Sequence, residues 1–255
     1  MSKILKYVIL DIVKNKIIIF YTILIALFSW SAFSLEDNAA KGLLTLLNIV
    51  LLTVPLVSIL FSTIYIYNCN EFVELLVSQP IKRSKIWWSL FVGLCLSLSL
   101  AFIIGAGIPI FIYAEIEKAL IMILVGVFIT LIFVALAFLS SIMSKDKAKG
   151  IGISILSWLY FALLFDGLVL FLLFQLSDYP IENMMVCITA LSPVDLARIL
   201  VLLQLDVSAM LGYTGAIFKN YFGTDIGLVI SFSLLLLWIV IPFYFSLKKF
   251  KNKDL

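Results

Sequence analysis

The stretch Ala119–Met143, ALIMILVGVFITLIFVALAFLSSIM, decides how the rest of the chain is read. It holds no ionisable side chain, and as an α-helix it extends about 37 Å, past the roughly 30 Å hydrocarbon core of a bilayer. Working outward, five more apolar runs of comparable length follow the same rule: Ile17–Ser34, Leu43–Tyr67, Trp87–Tyr113, Ile151–Leu176 and Ile226–Leu247. The composition agrees, because 64% of the 255 residues are apolar and only 13% are charged, about half the share of an ordinary soluble domain. The expected fold class is an all-α membrane protein with six transmembrane helices, residues 1–255 forming one transmembrane domain.

The loops sort the basic residues. Lys3, Lys6, Lys14 and Lys16, then Lys82, Arg83 and Lys85, then Lys145, Lys147 and Lys149, then Lys248, Lys249, Lys251 and Lys253 fall on one side. Together they are fourteen of the eighteen. The other side has Lys41, Lys118, Arg198 and Lys219. Lysine-rich short loops stay in the cytoplasm, so both termini are expected inside and residues 177–225 outside, in a multi-pass protein of a bacterial cytoplasmic (inner) membrane. No cleavable signal peptide is expected, because Ile17–Ser34 runs on without an A-x-A site.

The residue inventory excludes several chemistries. There is no histidine, and Cys69, Cys95 and Cys187 have no paired spacing, which leaves no His-based nucleophile system, imidazole relay or His-ligated zinc. No G-x-x-x-x-G-K-[ST] run occurs, so the chain does not itself cradle a nucleotide. It is not expected to be an enzyme. No metal site and no nucleic-acid partner are expected; Met184, Met185 and Cys187 form a small soft-ligand cluster that reads as packing.

Local patterns supply the candidates. Residues 1–16 read as an interfacial amphipathic helix, with Lys3, Lys6, Asp11 and Lys14 opposite Leu5, Ile9, Ile12 and Val13. Gly93, Ser97, Ala101 and Gly105 make a small-residue ladder in the third span, where another helix can approach closely. Pro55, Pro109 and Pro242 read as kinks. Asp166 is the one ionisable residue deep inside a span and has no basic partner in any span. Its burial costs roughly 2.5–3.5 kcal/mol, so it should face protein or a wet cavity.

Two segments outside the spans stand out. Ser192–Phe218, SPVDLARILVLLQLDVSAMLGYTGAIF, opens with Ser192 as N-cap, Pro193 at the first helical position and Asp195 in the first turn. The helix is expected to reach about Leu211, before Gly212. Asp195 and Asp206 then fall within about 20° of each other, with Arg198 about 60° away, on a rod lying along the membrane surface or between helices. The loop Asn68–Trp88, NCNEFVELLVSQPIKRSKIWW, reads as a short helix capped by Asn68 and stopped near Pro80. Glu71, Glu74 and Ser78 line one face and Phe72, Leu75 and Leu76 cover the rest. Anionic lipid would repel the carboxylates, so this helix at residues 68–85 is suited to a protein groove.

That loop resembles the ABC-2 type permeases of ATP-binding cassette transporters, whose loop after the second span carries E-x-x-E-L-L followed by a proline and then an arginine. Glu71, Glu74, Leu75, Leu76, Pro80 and Arg83 are the matching positions. Where many members place arginine before the first glutamate this chain has Asn70. The resemblance implies that residues 68–85 form a cytoplasmic coupling helix resting on a separate ATPase subunit, which carries the ATP and Mg; no cofactor is implied on this chain. Pro193–Phe218 is similar to the extracytoplasmic segment of one branch, the NosY-type permeases of the transporters that mature bacterial nitrous oxide reductase.

This branch resemblance implies a homodimer with cytoplasmic ABC ATPase subunits and a periplasmic β-helix copper-maturation protein. Asp195, Arg198, Asp206 and Tyr213 then fall on the platform for that protein. The implied function is to couple ATP hydrolysis to assembly of the reductase copper sites, by moving a sulfur species or by transmitting a shape change. An ABC-2 permease exporting a lipid, drug or peptide is the alternative. An intramembrane enzyme centred on Asp166 is disfavoured, since acid–base chemistry calls for a second polar group in the spans.

Overall fold

The computed structural model describes residues 2–36, 38–175, 188–205 and 225–252. These residues form helices and short connections, with no strand among them. In chain order the helices are α1 (Ser2–Val13), α2 (Lys16–Leu35), α3 (Ala39–Asn68), α4 (Asn70–Val77), α5 (Arg83–Phe102), α6 (Ile108–Tyr113), α7 (Ile116–Met143), α8 (Lys147–Leu159), α9 (Phe165–Gln175), α10 (Pro193–Gln204) and α11 (Asp225–Lys251). Six stretches are long and apolar enough to cross a membrane: Lys16–Leu35, Ala39–Asn68, Arg83–Tyr113, Ile116–Met143, Lys147–Leu172 and Gly227–Lys251. They coincide with the six expected spans. α7 is the hub, packing on α3, α11, α5, α8 and α10.

The amphipathic N-terminal segment is shorter than expected. α1 stops at Val13 because Asn15 takes an extended conformation and its side chain accepts from the Ile17 N–H, which caps α2 instead. α1 lies on α5, with Val8 seated over Gly93, where any larger residue would collide with it. Just beyond α5 in the same span, Gly105 lies against α2, where an added Cβ would come within 2.9 Å of the Thr22 carbonyl oxygen. A four-residue repeat drifts about 40° per step around an α-helix, so a ladder of small residues winds across the surface. Its two ends therefore receive two different helices. Ser97 and Ala101 are buried between them.

Two spans contain a π-helical turn, Ile103–Gly107 between α5 and α6 and Tyr160–Leu164 between α8 and α9. The first directly precedes Pro109, whose ring would clash with the carbonyl four residues back in a regular helix. A wider turn at that point is the way the third span accommodates the proline. Pro55 and Pro242 sit inside α3 and α11.

Side-chain hydrogen bonds knit the spans near the lysine-bearing end. The Ser154 hydroxyl lies 2.7 Å from both Thr63 Oγ1 and Ser140 Oγ, joining α8, α3 and α7. Trp87 Nε1 donates to Ser246 Oγ at 3.0 Å, and Ser246 donates to the Phe138 carbonyl at 2.9 Å, joining α5, α11 and α7. The Tyr67 hydroxyl is 3.2 Å from the carbonyl of Ser141 and 2.9 Å from that of Ser144 while its ring covers Gly150. In an apolar surround each hydroxyl must find a partner or lose its hydration uncompensated, and these bonds meet that demand.

Candidate functional site

The two ends of the bundle carry different chemistry. At the lysine-bearing end α4 follows α3 after one residue. Asn68 does not cap it: it is the last residue of α3, and its Oδ1 accepts from Lys147 Nζ at 2.8 Å. Cys69 occupies the N-cap without a side-chain bond. The helix is held down by buried Val73 and Leu76, while Glu71, Glu74 and Leu75 are exposed. The apolar face is thus one residue off the expected one, with Val73 in place of Leu75. Pro80 lies in the bend after α4, and Arg83 opens α5, its Nη1 3.4 Å from the Lys251 carbonyl.

A cavity of ≈ 250 Å³ opens between α4 and the bundle, lined among others by Tyr67, Asn70, Glu74, Trp87, Ser144 and Lys145. α1 touches the same region: the Tyr7 and Phe72 rings are 5.3 Å apart, and Tyr65 donates to Asp11 Oδ2 at 3.0 Å. The arrangement is a small carboxylate-bearing helix on an apolar footing, edged by Lys82, Lys85, Lys145 and Lys147.

At the other end Asp166 has a partner after all. Arg198 Nη1 lies 2.9 Å from Asp166 Oδ2 and 3.3 Å from Asp195 Oδ1, so one guanidinium serves two carboxylates. The expectation of a lone intramembrane carboxylate is corrected by this pairing. Asp166 lies within the fifth candidate span, Lys147–Leu172, 19 residues beyond the start of α8 and about 28 Å along the helix. It follows the second π-helical turn, and Gly167 has open space beside it.

α10 brings Asp195 and Arg198 to that point. Ser192 caps it, accepting from the Asp195 N–H at 3.2 Å, but it ends at Gln204 rather than near Leu211. Eight of its twelve residues are buried, against α7, α11 and α3. The Trp238 indole, halfway along α11, donates to the Ala190 carbonyl at 3.3 Å, so the chain before α10 reaches mid-bundle level. Of the two placements open to such a rod, α10 takes the one between helices. Asp206, Tyr213, Gly212, Met184, Met185 and Cys187 lie outside the described residues.

The charges in this cluster are unevenly satisfied. Asp195 is 9% exposed, and its Oδ2 and the Arg198 Nε are buried without a hydrogen-bond partner among the described residues. Burial, with the Asp166 carboxyl close enough to share a hydrogen bond, pushes Asp195 up to about 7. No group of three or more His, Cys, Asp or Glu suited to a metal occurs among the described residues.

Sequence reasoning missed the Asp166–Arg198 bond because the two sit 32 positions apart in segments assigned to different environments. The signal it could have used was charge balance: a buried carboxylate needs a cation, and Arg198 sits in a largely apolar helix. It also missed the hydroxyl seam through Ser154, for which the sequence has no local signature.

No family model matches the chain. A protein of Pseudomonas aeruginosa named Probable ABC transporter permease protein NosY is 28% identical over 145 residues, which cover 53% of this chain and 53% of that protein. The chain spans about half the length of the curated relative it matches. Six apolar helices and this likeness together make the chain similar to an ABC transporter permease.

Proposed function

We propose that the chain is the membrane subunit of an ABC transporter of the ABC-2 type, working as a homodimer on two copies of a cytoplasmic ATPase. The observation that carries this reading is α4: eight residues, anchored by Val73 and Leu76, presenting Glu71 and Glu74 outward at the lysine-bearing end. By the loop-charge rule that end is cytoplasmic, which puts both termini and α4 on the ATP side. α4 then acts as the coupling helix. A push on it passes to α5 and α3, on which it rests, and through Trp87 and the Ser154 hydroxyls to α11, α7 and α8.

On this reading α10 and the Asp166–Arg198–Asp195 cluster respond on the far side, where the segment containing Asp206 and Tyr213 meets a periplasmic β-helix partner. The output is maturation of the copper sites of nitrous oxide reductase, by passage of a sulfur species or by conformational transmission. The likeness to NosY supports this finer assignment.

The test is affinity capture of the chain from native membranes in mild detergent, with wild type compared with Glu74→Lys. Wild type should retain an ABC ATPase and a secreted repeat protein. Glu74→Lys should release the ATPase while the spans stay folded. Retention of a working ATPase by the variant refutes the role given to α4, and an ATPase without a secreted partner moves the reading to an exporter of a lipid, drug or peptide.

A further inference from the structure

A second feature belongs to the junction of α1 and α2 and needs only that the six apolar helices lie in a bilayer. A groove of ≈ 270 Å³ runs between this junction and α5, with Val13, Ile18 and Thr22 on one wall and Ser97, Ala101 and Ile104 on the other. Its surface is almost wholly apolar. The Ser97 hydroxyl is buried without a partner among the described residues.

The depth of the groove follows from the helices that bound it. α2 has 20 residues, about 30 Å, and so fills the hydrocarbon core with little to spare. Lys16, at its start, therefore marks the headgroup level. α1 crosses α5 at Gly93, and from there to Tyr113 the third span also has about 30 Å left. The groove thus begins at the interface and runs inward along the first turns of α2.

Its mouth is positive. Lys14, next in sequence to the lining residue Val13, and Lys16, two residues before the lining residue Ile18, are both exposed, and the N-terminal end of the α2 dipole adds to them. The nearby acid, Asp11, accepts from the Tyr65 hydroxyl. The outer face of α2 is exposed and apolar at Ile19, Phe20 and Ile23, as a lipid-facing wall requires.

We propose that this groove is a binding site for one anionic phospholipid, its acyl chain lying against the exposed lining residues Ile19, Ile23, Leu100 and Ile104 and its phosphate between Lys14 and Lys16. The combination selects such a lipid. A zwitterionic lipid fills the groove equally but gains less at the mouth, because each lysine near an anionic headgroup contributes separately to binding.

The experiment uses the full chain in mild detergent, incubated with equal amounts of phosphatidylglycerol and phosphatidylcholine of the same acyl chains, with retained lipid read by native mass spectrometry. Wild type should retain phosphatidylglycerol in excess. Lys14→Gln with Lys16→Gln should weaken its retention about tenfold or more, leaving phosphatidylcholine unchanged. Ala101→Phe should reduce retention of both lipids, and Thr22→Phe, from the opposite wall, should repeat that loss if the first variant misfolds. Equal retention of the two lipids by wild type overturns the proposal, as does wild-type retention in the lysine variant or in both groove variants. So does dissociation of a dimer by the groove substitutions, which would assign the groove to a protein contact.

Discussion

Arg198→Gln is the perturbation with the most specific consequence. It removes a guanidinium that lies 2.9 Å from one carboxylate and 3.3 Å from another, and leaves Asp166 and Asp195 facing each other. Removing one partner of a fully buried ion pair costs about 3–5 kcal/mol, and a hydrogen bond to a charged group contributes about 1.5–3 kcal/mol. The Arg198 and Asp166 side chains are 31% and 35% exposed, which lowers the figure. The net expected loss is about 2 kcal/mol, read as reduced resistance to thermal or denaturant unfolding in detergent. Asp166→Asn in the same background should recover part of that loss, since it removes the charge left stranded. The cycle of single and double variants should then show a coupling of about 1 kcal/mol between the two sites. If the two substitutions simply add within about 0.3–0.5 kcal/mol, the cluster does not tie α10 to the fifth span and the reasoning fails.

Other outcomes follow from the same geometry. Asp195 is raised to about 7 from its ordinary 3.8, so its contribution to stability is fully present below about pH 4 and is lost as pH rises through 7. Unfolding temperature should therefore be higher at about pH 5 than at about pH 8, and Asp195→Asn should flatten that dependence. Gly150→Ala places a methyl group on the Tyr67 hydroxyl and should destabilise by about 2–4 kcal/mol through overpacking and loss of the hydrogen bonds to Ser141 and Ser144. Adding Tyr67→Ala should make the glycine substitution nearly silent, and an undiminished cost there would show that the ring is not what fills the space.

The parts legible in the sequence were those governed by local rules. The six spans could be read because an uncharged run such as Ala119–Met143 has one outcome in any membrane, whatever surrounds it. The start of α10 was legible from Ser192, Pro193 and Asp195, since a cap and a proline act within one turn. Its end was not, because nothing near Gln204 resembles a stop in the sequence. α4 was placed to within two residues at its start, but Asn68 was assigned the wrong task. A capping residue looks the same whether its amide serves a helix or a lysine from a distant loop, and here Lys147 takes it. The ionic cluster was hidden for a similar reason. The sequence puts Asp166 in a span and Arg198 in an outer segment, and only the inward turn near Ala190 brings them together.

The widened turn at Tyr160–Leu164 has a bearing on every helical-wheel drawing of the fifth span. Each such turn absorbs about one extra residue, so side chains beyond it are offset by about 100° from where an unbroken helix would aim them. The lower half of the span, with Gly150 under Tyr67 and Ser154 at the hydroxyl seam, and the upper half, with Asp166 on Arg198, therefore keep separate phases. One strand of sequence thus answers to two clocks. Residue changes can retime the upper half against α10 while the lower half stays locked in its seam.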